Sequence, residues 1–134
     1  MERSLEQAVW NRAASRCEYC QIHQDADVLS FEIDHIIARK HRGLTESENL
    51  ALACFSCNNH KGPNVAGVDP ESGAICRLFH PRRDRWNEHF EWHGPLLVGL
   101  TAIGRTTVEV LVINIAHRVA LRRQLLEEKS LEES

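Results

Sequence analysis

Phe31–Gly43 reads FEIDHIIARKHRG and sets an acid directly before a histidine inside an apolar run. Taking either side chain out of water costs several kcal/mol unless a partner is present. Groups elsewhere in the chain must therefore hold Asp34 and His35. The segment from Val28 to Ile37 is rich in β-branched and apolar residues and reads as a strand, or as two strands of a hairpin. A basic block, Arg39, Lys40, His41 and Arg42, follows at once, and Arg42-Gly43 marks a turn.

Two cysteine pairs bracket this stretch, Cys17-x-x-Cys20 before it and Cys54-x-x-Cys57 after it. The N-terminus MERSLEQAVW has no signal-peptide core, so a cytoplasmic setting is expected and disulfides are not. Two such pairs, each a tight turn presenting both sulfurs to one ion, point to a tetrahedral structural zinc site. The 33 residues between Cys20 and Cys54 exceed an ordinary ribbon spacing, so the zinc clamps the ends of a long insert that contains the acid and the histidine. Cys76 reads as a small buried residue with no role.

Working outward, Ser4 and Gln7 have capping-box spacing for a helix through about Ala14. A short helix is expected from about Ser56 to Lys61, stopping at Gly62-Pro63. Beyond it, Asp69–Gly73 is a turn signal, with short strands expected near Ala74–Phe79, His89–Trp92 and Leu96–Leu100. Val108–Ile115 fits a helix or a strand equally, and Arg118–Glu128 reads as a helix. The 134 residues, 43% hydrophobic and 26% charged, fit one compact α+β domain. We expect a core with an N-terminal helix over residues 1–66 and a C-terminal α/β elaboration over 67–134. The longest apolar run, Val108–Ala116, is too short and too polar to cross a bilayer.

The net charge of −3 does not by itself mark a nucleic-acid binder, but the basic side chains are grouped. Arg39, Lys40 and Arg42 directly follow the acid–histidine pair and are expected on a phosphate backbone, as are Arg82 and Arg83 from a second block. Lys61 is a further candidate for a phosphate contact. A third block, Arg118, Arg122 and Arg123, reads as a solvated helix face. Trp86, Phe90 and Trp92 read as core, not as a base-stacking platform.

Asp34-His35, Asn49-Leu50 fourteen residues after His35, and Cys54-x-x-Cys57-Asn58-x-x-Lys61-Gly62 together resemble the HNH nuclease family in its four-cysteine zinc form. The resemblance covers roughly Arg16–Gly62. It implies a ββα-metal, treble-clef-like core with His35 as general base, Asp34 and Asn58 as ligands of a catalytic Mg²⁺ or Mn²⁺, and Asn49 ordering the loop. Cys17, Cys20, Cys54 and Cys57 would hold zinc, and His60 is an auxiliary ligand candidate. The implied activity is hydrolysis of phosphodiester bonds in nucleic acid, DNA above all. Many members carry proline where Ala38 stands and two glycines where Arg42-Gly43 stands, departures that touch the loop and not the reacting groups.

These residue types suit the task. Histidine can accept a proton from water near neutral pH. Carboxylate and amide oxygens favour a hard divalent ion over zinc. Neighbours on a strand point to opposite faces, so Asp34 and His35 could flank one phosphate. A zinc nucleobase deaminase would need His-x-Glu, and Ile36-Ile37 follow His35. A non-catalytic zinc module binding nucleic acid or protein is the remaining alternative. The sequence leaves monomer and homodimer open and implies no membrane partner.

Overall fold

Two four-residue strands pair at the centre of the molecule. In the computed structural model, which describes residues 1–133, β1 (Glu32–His35) and β2 (Leu50–Ala53) are antiparallel, with Asp34 opposite Ala51 and His35 opposite Leu50. All four residues of β2 are buried, so its Leu-Ala-Leu-Ala sequence shows no polar alternation. Helix α1 (Arg3–Ala13) packs on β2, with Val9 buried and the Trp10 ring stacked 6.2 Å from Phe31. Helix α2 (Phe55–Lys61) starts one residue after Cys54, packs on β1, and ends at Gly62, whose φ of 51° suits glycine. Strand, strand and helix form the ββα unit of a small α+β fold.

Two local expectations differ from this arrangement. The Ser4–Gln7 capping box does not form: Glu2 precedes the first turn without capping it, and the Ser4 hydroxyl donates to the Glu2 carboxylate. The expected strand from Val28 shrinks to Glu32–His35, because Val28, Leu29 and Ser30 cross the surface before Phe31 enters the core.

Hairpin β3 (Ala66–Val68) and β4 (Ile75–Arg77) closes around Asp69, whose buried carboxylate accepts from Ser72, the Glu71 N–H and both arms of Arg105. Helix α3 (Trp86–His89) leads into a second hairpin, β5 (Phe90–His93) and β6 (Leu96–Gly99). Of the ambiguous Val108–Ile115 stretch, Val108–Val110 close helix α4 (Ala102–Val110), and Leu111–Asn114 are turns. The Thr101 side chain accepts from Gly104 N–H, and buried Thr107 satisfies its hydroxyl by donating to Ile103 O while accepting from Phe79 N–H.

Helix α5 runs from Ala116 to Glu133, and Ser134 lies outside the described residues. The reading of its basic block as a solvated face is corrected for two residues of the three. Arg118 is buried and pairs with Asp27 at 2.9 Å. Arg122 is buried, covers the Trp92 ring at 5.4 Å and donates to the carbonyls of Pro95 and Ile113. Arg118 is tied down by a buried carboxylate, and Arg122 by backbone carbonyls that need donors.

Phe79 meets Tyr19 edge-on at 6.4 Å and Phe90 at 5.2 Å, and the Trp86 indole N–H donates to Tyr19 O. These aromatics pack inward. Among the described residues no helix is long and apolar enough to cross a membrane.

Gly104 tests the packing of α4. A Cβ there would lie 2.0 Å from His89 O, a backbone atom that cannot move aside cheaply. Glycine to alanine inside a helix ordinarily gains roughly 1 kcal/mol. Here Gly104→Ala is expected to lose about 1–3 kcal/mol instead, read as a lower midpoint in chemical denaturation.

Candidate functional site

Cys17, Cys20, Cys54 and Cys57 converge, all buried, with their sulfurs within 4.8 Å of one another. The Cys20–Cys54 separation of 3.8 Å suits one edge of a tetrahedron built on Zn–S bonds of about 2.3 Å. Each pair is a turn in which the second cysteine's N–H approaches the first sulfur, Cys20 to Cys17 at 3.5 Å and Cys57 to Cys54 at 3.4 Å. Burial pushes the Cys17 thiol well above its ordinary value, so thiolates packed this closely need a cation to offset their charge. The soft four-sulfur donor set fits zinc.

The two residues inside the first pair carry the cluster's position to the hairpin. Glu18 brackets Leu52 of β2, its N–H donating to Leu52 O and its carboxylate accepting from Leu52 N–H, each at 2.8 Å. The Tyr19 hydroxyl, fully buried, donates to Asp34 Oδ2 at 2.7 Å. The cysteine turn thus grips both strands.

Strand alternation then separates the acid from the histidine. Asp34 points inward, 5% exposed, and meets Lys61 of α2, whose Nζ lies 3.2 Å from the carboxylate and 3.2 Å from His35 O. Burial raises the Asp34 carboxyl above its ordinary value, although Lys61 and Tyr19 pull the other way. The expectation of Lys61 on a phosphate is corrected: it is 1% exposed and serves this internal pair. Asp34, expected as an open metal ligand, has both oxygens engaged by Tyr19 and Lys61. Arg82, expected on nucleic acid, is likewise turned inward, largely buried and paired with Glu18.

His35, half-buried, stands on the other face with Nε2 2.8 Å from Thr45 Oγ1. Buried Asn49 ties the intervening loop: Oδ1 accepts from Ile37 N–H at 2.9 Å, and Nδ2 donates to Ile37 O at 3.0 Å and Leu44 O at 2.9 Å. Gly43 belongs to the same clamp, since a Cβ there would fall 1.6 Å from Ile37 O. On α2, Asn58 lies 3.3 Å from the Glu32 carboxylate, and the His60 ring is tied through Nδ1 to Ser56 O at 2.7 Å. Arg39, Lys40, Arg42 and Arg83 are exposed.

Three residues escaped the sequence reading. Glu32 shares a strand face with Asp34, two residues on, and this spacing could have revealed it. Thr45 and Tyr19 reach the site only through folding, over separations of ten and fifteen residues.

A buried four-cysteine cluster fastened to a ββα hairpin defines a core able to hold zinc. Residues 17–64 match the HNH endonuclease family model, a likeness that supports a nuclease-type function in general. Over 130 residues the chain is 25% identical to the Septu protein PtuB of Bacillus thuringiensis, covering 96% of this chain and 48% of that protein. The chain therefore spans about half the length of the curated relative it matches. No solved structure matches it.

The site generates two expectations. Cys17→Ala or Cys57→Ala should release one zinc per chain and unfold the ββα unit, because binding in such sites is worth on the order of 10 kcal/mol of folding. Elemental analysis beside circular dichroism reads both effects, and a protein that keeps its fold after alkylation of the four cysteines would contradict them. Lys61→Met should cost about 3–5 kcal/mol by stranding Asp34. Adding Asp34→Asn should restore part of that loss in the same denaturation series, and a purely additive double variant would mean the pair is not coupled.

Proposed function

We propose that the chain is a metal-dependent endonuclease that hydrolyses phosphodiester bonds in nucleic acid, DNA above all, with His35 as general base. The observation that carries this reading is the division of β1. His35 and Thr45 lie on one side, and Glu32, Asp34 and Asn58 gather on the other, so a phosphate at the strand end would have a base on one flank and oxygen ligands on the second. Because Thr45 Oγ1 engages Nε2, Nδ1 is the ring nitrogen left to take the proton of the attacking water.

Asp34 and Asn58, with Glu32 beside them, would hold Mg²⁺ or Mn²⁺, and His60, tied through Nδ1, keeps Nε2 for the same purpose. Such an ion supplies charge stabilisation at the leaving oxygen. Asn49 keeps the loop and therefore the His35 ring in place. Arg39, Lys40, Arg42 and Arg83 contribute sequence-independent phosphate contacts, weakened by salt. The second reading, a non-catalytic zinc module, draws on the closed Asp34–Lys61 pair, which together with Tyr19 engages both oxygens of that carboxylate.

Incubation of the purified chain with supercoiled plasmid and with RNA, in Mg²⁺, Mn²⁺ or EDTA, separates the two readings. Metal-dependent cleavage is expected, DNA being cut faster than RNA. His35→Ala should slow single-turnover cleavage by roughly 10²- to 10⁴-fold with Mn²⁺ binding retained in calorimetry. Asp34→Ala and Asn58→Ala should lose metal affinity. Full activity in His35→Ala, or no cleavage under any metal, would overturn the assignment.

A further inference from the structure

Immediately beyond the catalytic strand the chain encloses a cavity of about 420 Å³, within the size range of small-ligand sites. We propose that this cavity is a nucleobase pocket that receives one unstacked base next to the scissile phosphate, with Arg83 at its rim holding the adjoining phosphate. The proposal rests on the nuclease reading and adds to it a demand on the substrate: the base must leave its stack.

Position is the first argument. Ile36 and Ile37, which line the cavity, directly follow His35, so the wall begins within about 7 Å of the base along the chain. Lys61 lines the cavity as well, and its Nζ donates to the His35 carbonyl. Strand end and pocket therefore share a wall that Asn49 holds through both the N–H and the carbonyl of Ile37. A pocket so placed lies within a nucleotide or two of a phosphate at His35.

Chemistry is the second. Ile36, Leu78 and Phe79 are 4%, 5% and 3% exposed and provide apolar surface for the face of a ring. Two neutral polar side chains join the lining, the Asn64 amide and the His80 ring. The Arg82 N–H donates to His80 Nδ1 at 3.2 Å, which fixes the ring proton on Nε2. Burial and the neighbouring Arg83 hold His80 below its ordinary value, so the ring presents a hydrogen-bond donor and no charge. Apolar walls with a neutral donor suit a heterocyclic base and reject a bare phosphate.

Charge is the third: Lys61 in the lining is paired with Asp34, and the free charge sits at the rim. Two arginines line the cavity, but Arg77 is engaged by Asp84 through both of its terminal nitrogens, at 2.7 and 2.9 Å. Arg83 is exposed and makes no side-chain hydrogen bond or ion pair among the described residues. A base inside with its phosphate on Arg83 satisfies both parts. A paired base cannot enter, so single strands or distorted duplex should be favoured.

Oligonucleotides carrying a single 2-aminopurine, moved one position at a time through single-stranded and duplex forms, test this with the intact chain in EDTA. Emission should rise several-fold on binding at one position only, more readily in the single strand. Ala66→Phe places a ring into the cavity from β3 and should abolish that rise while total affinity changes less than about threefold. Arg83→Gln should weaken binding about tenfold, or roughly 1.4 kcal/mol, with the position of the signal unchanged. Should Ala66→Phe fail to fold, an abasic residue at the responsive position replaces it, and should then cost affinity there and nowhere else. Uniform emission at every position, or a rise that survives Ala66→Phe, would overturn the pocket. If the positional signal appears but added Mg²⁺ or Mn²⁺ gives no cleavage, the pocket stands and the nuclease reading falls. If no nucleic acid is bound, both fall.

Discussion

The fold depends on how one cysteine turn is fastened to the central hairpin. Glu18 and Tyr19 occupy the two positions between Cys17 and Cys20, and each grips a different strand, Glu18 at Leu52 and Tyr19 at Asp34. A ββα unit this short buries little surface and could not hold a charged carboxylate in its interior by packing alone. The sulfur cluster supplies the missing rigidity, closing the 33-residue insert at both ends and so limiting the freedom of its unfolded chain. The hydroxyl of Tyr19 then places Asp34, and strand alternation places His35 without further assistance.

Electrostatics divides the strand into an inner and an outer side. Asp34 and Lys61 are both nearly inaccessible, and their pairing leaves neither charge stranded. Such a pair contributes little net stability compared with an apolar replacement, while loss of one partner is severe. Its value here is positional, because Lys61 also binds the His35 carbonyl and thereby links α2 to the backbone of the residue proposed as base. On the outer side, exposed Arg39, Lys40, Arg42 and Arg83 stand in a different dielectric, where they can meet phosphate.

What was legible in the sequence is what is local. The cysteine pairs, the Gly62 stop of α2 and the opposite facing of Asp34 and His35 follow from spacings of one to four residues, and the structure shows each of them. Partnerships across long separations were not legible. Lys61 is a lysine beside a helix end until the fold brings it 27 residues back to Asp34. Arg82, Arg118 and Arg122 read as surface charge because nothing in their neighbourhood announces Glu18, Asp27 or the Pro95 and Ile113 carbonyls. Val108–Ile115 was undecided for a related reason: the Thr101 cap of α4 is local, but the Phe79 N–H that satisfies Thr107 in the same helix comes from 28 residues away.

If the cysteine turn organises the hairpin, chelation must be felt first at the residues that Glu18, Tyr19 and Asn49 hold. Hydrogen exchange resolved to single amides, followed as zinc is withdrawn under conditions that keep α4 and α5 protected, measures this directly. The account predicts early loss of protection at Leu52 N–H and Ile37 N–H, ahead of the Phe79 N–H bound by Thr107. Unchanged protection at Leu52 and Ile37 after complete removal of the metal would contradict it.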